Sequence, residues 1–236
     1  FFRGAFVTEK ALSLADIQRI GASVISSPLK GMDVWQDAAN ADGLGNSTVT
    51  NGAGLTTWTS LGSMANPDAG SADFVAVSSD GTPHALTTGQ KAVMYDGVYD
   101  QSISAGSKTA LAALNTDGQA WDIFLTIRKR NTAINGQRYL FGTSEGQKGV
   151  FVGLNDYATG GEGTFWLIIG NGVGLRANYT TTASCALGTV CSVLIRSDGT
   201  NLKFGKAPFT SLESTALALS GVAGASFYDL GLAAIN

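Results

Sequence analysis

Apolar and polar positions follow two different periods along this chain. Over residues 8–24, Leu12, Leu14, Ile17, Ile20 and Val24 recur at roughly helical spacing, with Ala11, Ala15 and Ala22 between them. This spacing predicts one short helix, capped by Thr8 or Ser13 and loosened at Gly21 before the break at Ser26-Ser27-Pro28. Beyond Pro28 the period shortens. Apolar runs between turn clusters predict strands over 91–95, 121–130, 138–142, 149–154, 164–169, 175–180, 191–197, 201–204 and 226–234. The breaks hold Asp117-Gly118, Asn135-Gly136, Gly160-Gly161, Asn171-Gly172 and Asp198-Gly199, dipeptides that tolerate positive φ and mark tight turns. The clearest hairpin spans 195–204, whose arms alternate apolar and polar around Asp198-Gly199.

Strands this numerous, with almost no helix between them, do not make a parallel sheet, whose crossovers are usually helical. The expected fold is all-β, an antiparallel two-sheet jelly-roll sandwich with one short peripheral helix near the N-terminus. The polar stretches 36–57, 61–82 and 155–163 then read as rim loops, long enough to carry function.

Composition narrows the function classes. At 236 residues the chain is long enough for a substantial core, and 44% hydrophobic with 14% charged residues excludes a disordered chain. No apolar run approaches the ~20 residues of a membrane helix, so no membrane insertion is expected. Fifteen Lys and Arg against eighteen Asp and Glu leave a net charge of -3, which lacks the basic excess of a nucleic-acid binder. His84 is the single histidine, so a multi-histidine metal or catalytic cluster is excluded. It follows Gly81-Thr82-Pro83 and reads as a loop residue without a catalytic role.

Three segments then carry a family resemblance: Met32-Asp33-Val34-Trp35-Gln36-Asp37-Ala38, Leu55-Thr56-Thr57-Trp58-Thr59-Ser60-Leu61-Gly62, and Lys91-Ala92-Val93-Met94-Tyr95-Asp96-Gly97-Val98-Tyr99-Asp100. In this order they resemble the concanavalin A-like, laminin G-like jelly-roll superfamily, with two tryptophan strands followed by an aromatic-Asp-Gly turn and a further Asp. Asp117-Gly118-Gln119-Ala120-Trp121-Asp122-Ile123-Phe124 is similar to its next strand, and 187–193 leading into Asp198-Gly199 to its late hairpin. The resemblance covers roughly 32–236. It implies a domain over 30–236 and a separate status for 1–29.

The first residues resemble the end of that family rather than its start. Ala11-Leu12-Ser13-Leu14-Ala15-Asp16-Ile17 is similar to the motif that follows the family's last strand, and Tyr228–Asn236 to a closing strand cut before it. Phe1–Val7 reads as the middle of a strand, and no signal peptide is visible. Three expectations stand side by side: a unit of a tandem array, a circular permutation, or an order of segments imposed on the chain. Phe1–Val7 is expected as a strand in a jelly-roll sheet, of this chain or, by strand exchange, of a neighbour.

Candidate chemistry is sparse. Some relatives of this fold are endoglucanases, whose chemistry needs two carboxylates ~5–5.5 Å apart. Glu9, Glu145, Glu162 and Glu213 show no such spacing in sequence, and no Gly-x-Ser-x-Gly nucleophile elbow accompanies His84. No catalytic residue and no cofactor are expected. Calcium is the one metal considered, at Asp96 and Asp100, with Asp117 and Asp156 also near loop ends. Against it, Tyr95-Asp96-Gly97 is explained by a turn in which Asp bonds local backbone. Cys185 and Cys191 read either as a disulfide in an oxidising setting or as two buried thiols. A glycan rim is drawn from Tyr99, Asn155, Asp156, Tyr157 and Trp166, where rings can stack on sugars and amides can bond hydroxyls. Trp35, Trp58 and Trp121 read as core. Arg128-Lys129-Arg130, with Arg138 beyond, reads as a solvated strand end.

The expectation is therefore a non-enzymatic module of a virion or extracellular surface protein. It would act in assembly, decoration and adhesion, with copies of itself or other surface proteins as partners. A lectin-like glycan-binding domain is the alternative, and a polysaccharide-degrading enzyme the third reading.

Overall fold

A computed structural model describes residues 2–8, 34–61, 74–76, 84–89, 91–94, 101–104, 118–129, 136–142, 148–156, 163–171, 175–218 and 231–234. The described elements are sixteen strands and one 3-10 turn (Ala38–Asn40), so the described residues are all-β. The strands are β1 (Phe2–Thr8), β2 (Val34–Asp37), β3 (Thr57–Trp58), β4 (Phe74–Ala76), β5 (His84–Leu86), β6 (Ala92–Met94), β7 (Gln101–Ser104) and β8 (Ala120–Arg128). They continue as β9 (Gly136–Gly142), β10 (Lys148–Asp156), β11 (Thr164–Asn171), β12 (Leu175–Ser184), β13 (Val190–Asp198), β14 (Asn201–Lys206), β15 (Glu213–Ala218) and β16 (Gly231–Ala234). The helix expected over 8–24 lies outside the described residues except for Thr8, which ends β1.

The strands form two antiparallel sheets. Sheet A runs β15-β14-β13-β8-β1-β6-β5, with β2 also on β1, and sheet B runs β12-β11-β10-β9-β16-β7-β4-β3. Phe2–Thr8 is thus an interior strand of this chain's own sheet. One of its sides follows β8 from Thr8↔Asp122 to Phe2↔Ile127, and the other meets β2 and β6. The terminal strand β16 lies in the other sheet, between β7 and β9.

Alternation explains how the sheets meet. Trp121, Ile123, Leu125 and Ile127 of β8 share a face with Cys191, Val193 and Ile195 of β13, two residues apart each time. Across from them stand Val150, Val152 and Leu154 of β10, Phe165 and Leu167 of β11, and Trp58 of β3. All are buried in one cluster, and the Phe165 and Phe204 rings meet across it at 4.9 Å. The arrangement is sandwich-like, driven by apolar area withdrawn from water on the inner faces of both sheets.

The outer face of sheet A departs from the usual polar exterior. Phe124 and Leu194 are cross-strand partners pointing away from the main core, yet they are 5% and 0% exposed. After the cis Ala207-Pro208 bond the chain turns back, bringing the Phe209 ring within 5.8 Å of Phe124. Beside this layer Asp122 is fully buried and pairs with Arg196 directly across from it, with Nε donating at 2.6 Å and Nη2 at 2.8 Å.

Both described flanks of the sandwich are closed. On one, the Glu213 carboxylate of β15 accepts from the Thr182 and Ala183 amides and the Thr182 hydroxyl of β12 (2.8–2.9 Å), and Lys206 Nζ donates to the Ser184 carbonyl. On the other, residues 51–54 lie along β5. Gly52 N donates to Ala85 O, Ala85 N to Ala53 O, and Gly54 bridges His84. The chain then passes into sheet B as β3.

Several expectations need correction. His84 belongs to strand β5, not a loop, and its Nδ1 lies 3.0 Å from the Gly52 carbonyl. The stretch 36–57 is not simply rim: Ala38, Ala41 and Leu55 enter the core singly, too far apart to leave a periodic signal. Within 61–82 the strand β4 is present, and Asn155 and Asp156 belong to β10 rather than to a loop. The Asp198-Gly199 hairpin is present, pairing Ile195 with Phe204. Gly199 has φ +88°, and a Cβ there would lie 2.6 Å from Gly118 O, so only glycine fits.

Candidate functional site

Of the residues assigned to a glycan rim, the structure brings Asn155 and Trp166 together on adjacent strands. Trp166 is half-buried and faces Gly153 across the β10–β11 register. Asn155 is two residues on, 8% exposed, and its Nδ2 donates to Thr164 Oγ1 at 3.1 Å. Its carbonyl accepts from Gly163 N at 2.8 Å. The Asn155 amide is therefore engaged in the hairpin. Asp156 pairs with Gly136 through the backbone. Tyr99, Tyr157 and the calcium candidates Asp96 and Asp100 lie outside the described residues, as do Asp117, Glu9, Glu145 and Glu162.

Cys185 and Cys191 are joined in a disulfide, with Cα atoms 6.0 Å apart and 1% and 2% exposed. The bridge does not span a hairpin of one sheet. Cys185 follows β12 of sheet B and Cys191 belongs to β13 of sheet A, so it staples the two sheets at a corner. The corner is secured by Gly188 N donating to Lys129 O and Arg128 Nε donating to Gly188 O, both at 2.9 Å. Arg128 is thus bonded into this corner, and Lys129 is 6% exposed, not a solvated strand end.

The described carboxylates are held by the scaffold itself. Asp37 accepts from Ala39 N, Asp122 pairs with Arg196, and Glu213 binds the edge of β12. Asp198 accepts from Thr200 N and Asn201 N and pairs with Lys203 at 2.8 Å. The Lys203 ammonium first, then the Asn201 amide, outweigh desolvation and lower its pKa to about 2.

Asp42 organises the most elaborate loop. Its Oδ1 accepts from Leu44 N (2.8 Å) and Asn46 N (2.7 Å), and its Oδ2 from Thr48 N (2.8 Å) and Thr48 Oγ1 (2.9 Å). Asn40 Oδ1 takes Gly45 N, while Asn46 accepts from Ala41 N and donates to Ala38 O. Desolvation raises the Asp42 pKa, but the amides of Thr48, Leu44 and Asn46 with the Thr48 hydroxyl overcome it and hold it at about 2. The carboxylate faces donors, the opposite of what a cation requires. No group of three or more metal-ligating acids, histidines or cysteines occurs among the described residues.

Beside this loop lies an open groove of about 330 Å³, lined by Asp42, Thr48, Val49 and Thr50 of the loop and by residues 53–57 and Thr59 of the segment that follows. It flanks β3, the strand at the end of sheet B remote from Trp166. No candidate residue drawn from the sequence lies in it. The signal was the run Asn40-Ala41-Asp42-Gly43-Leu44-Gly45-Asn46-Ser47-Thr48, where short polar side chains alternate with glycine at the spacing of backbone-capping turns. No described helix is long and apolar enough to cross a membrane. Set against known proteins, the chain matches no family model and no curated sequence.

Proposed function

We propose that this chain is a non-enzymatic jelly-roll module of a virion or extracellular surface protein, acting in assembly and adhesion. The observation that carries the reading is the buried Cys185–Cys191 staple between the two sheets, a bond suited to an oxidising, exposed setting. Two further features support it. The described carboxylates bind backbone amides, hydroxyls or cations of the scaffold, which is how a framework uses acids rather than how a hydrolase presents them. The strands pass repeatedly between two antiparallel sheets, which agrees with a jelly roll and with the resemblance to laminin G-like domains. Fold alone does not fix function, so the reading rests on the staple.

The test is to isolate the protein from its natural source under thiol-blocking conditions, and to locate it by labelling intact cells or particles. The expected result is a chain two hydrogens lighter than its reduced form, labelled on the surface. Free thiols at Cys185 and Cys191 in protein from the cell interior would overturn the proposal. So would polysaccharide hydrolysis abolished by one Asp or Glu substitution.

Glycan binding on the β10–β11 face is the second reading. It is favoured by the position of Trp166 opposite Gly153, which puts no side chain across from the indole on β10. Loss of glycan-array signal in Trp166→Ala, with the fold retained, is the outcome it requires.

A further inference from the structure

We infer that the groove between the Asp42 loop and the 53–59 segment is a binding site for a neutral polyhydroxylated ligand, a short uncharged glycan. The inference is independent of the assembly reading and of the Trp166 face, which lies toward the other end of sheet B.

The side chains of Thr50, Thr56 and Thr57 are exposed and have no hydrogen-bond partner among the described residues. Each hydroxyl both donates and accepts, the same pattern a sugar hydroxyl presents. The Thr48 hydroxyl is oriented by its bond to Asp42 Oδ2, which leaves its oxygen as an acceptor. Charge points the same way. Asp42 is the one ionisable group of the lining, and both its oxygens are already engaged by four donors of its own loop. A cation would have to displace those donors, and an anion would meet a carboxylate without a countercharge. A neutral ligand rich in hydroxyls meets neither obstacle.

Shape and stiffness complete the case. The volume of about 330 Å³ is at the lower end of the range for small-ligand sites. One wall is fixed by the Asn40, Asp42 and Asn46 bonds. The other is fixed by the backbone pairing of Gly52 and Ala53 with Ala85, and by Thr59 N donating to Ala41 O at 2.8 Å. Walls held this way lose little backbone freedom on binding, which favours recognition in a shallow polar site.

The test is an amide proton–nitrogen correlation titration of the full chain with maltotriose, cellobiose and diacetylchitobiose in turn, and with a glucuronic-acid disaccharide as charged comparison. At least one neutral sugar is expected to shift amides within 42–59 saturably, and the charged sugar to do so more weakly. Thr56→Val with Thr57→Val keeps the β-branched shape and removes two hydroxyls, and is expected to weaken binding about tenfold. Thr50→Val serves as the second variant if that pair disturbs the fold, and Trp166→Ala is expected to leave these shifts unchanged. Absence of saturable shifts in 42–59 with all three neutral sugars would overturn the inference. So would equal binding by the valine variants, or shifts confined to β10 and β11.

Discussion

The Asp42 loop and the β8–β13 pair use the same side chain in opposite ways. Asp42 is partly exposed and closes on amides two to six residues ahead. Asp122 is fully buried and meets Arg196, 74 residues away, only because two strands are adjacent in sheet A. The first carboxylate shapes a segment and the second depends on the whole sheet. Local anchoring leaves polar groups at the surface next to a groove. Long-range anchoring places a charge pair beside the Phe124–Leu194 layer, where either partner alone is costly.

The largest expected effect tests the buried side of that contrast. Asp122→Ala leaves the Arg196 guanidinium without its carboxylate and is expected to cost about 3–5 kcal/mol in urea unfolding. Asp122→Leu combined with Arg196→Met is expected to recover most of that, because buried pairs are often replaceable by apolar side chains. A loss below about 1 kcal/mol in the single variant would put the pair on the same footing as a surface contact.

Asp42→Ala is expected to act locally, costing about 1 kcal/mol, within the range of lost backbone caps. Its distinctive readout is hydrogen exchange. The amides of Leu44, Asn46 and Thr48 should exchange faster while those of β8 and β13 keep their protection. Equal loss of protection in β8 would erase the distinction between the two regions.

Acid sharpens the same comparison. Asp42 and Asp198 titrate at about 2 in the folded chain against an ordinary 3.8. Between these values the unfolded chain binds more protons, so stability rises with pH across that window. The contribution is complete above about pH 4 and is lost as pH falls through about 2. Urea midpoints measured from pH 6 down to pH 2 should fall in that window, and less steeply in Asp42→Asn. The smallest effect belongs to Lys203→Ala. Its ammonium pairs with Asp198 at 2.8 Å, but both side chains are about one-third exposed, so a change under about 0.5 kcal/mol is expected.

The same contrast explains what could be read from the chain. The Asp198-Gly199 hairpin was legible because its turn chemistry and alternation lie within ten residues. The long strands β8, β10 and β13 were legible for the same reason, having enough positions to display a period. Strands β4, β5 and β7 have three or four residues each and take their conformation from neighbours that sequence does not reveal. Leu55 and Ala41 reach the core as isolated apolar residues in polar surroundings, so no period marks them. At the site level, the residue type of Asn155 suggests a ligand contact, but Thr164 across the hairpin takes its amide. The Asp42 loop has its cause written locally in Asn, Asp and Gly. The groove beside it does not, because its far wall is positioned by pairing with β5.

The corner between β12 and β13 also has a mechanical meaning. A load peeling the two sheets apart there meets a covalent stop at Cys185–Cys191 and, on the same flank, the parallel bonds of Glu213. At the opposite flank, β5 and β3 are linked by the backbone of 51–58 passing between them. Each edge is thus held by covalent links, the main chain at both and the disulfide in addition at the corner, so separating the sheets requires the strands to unzip between two tethers rather than slide free.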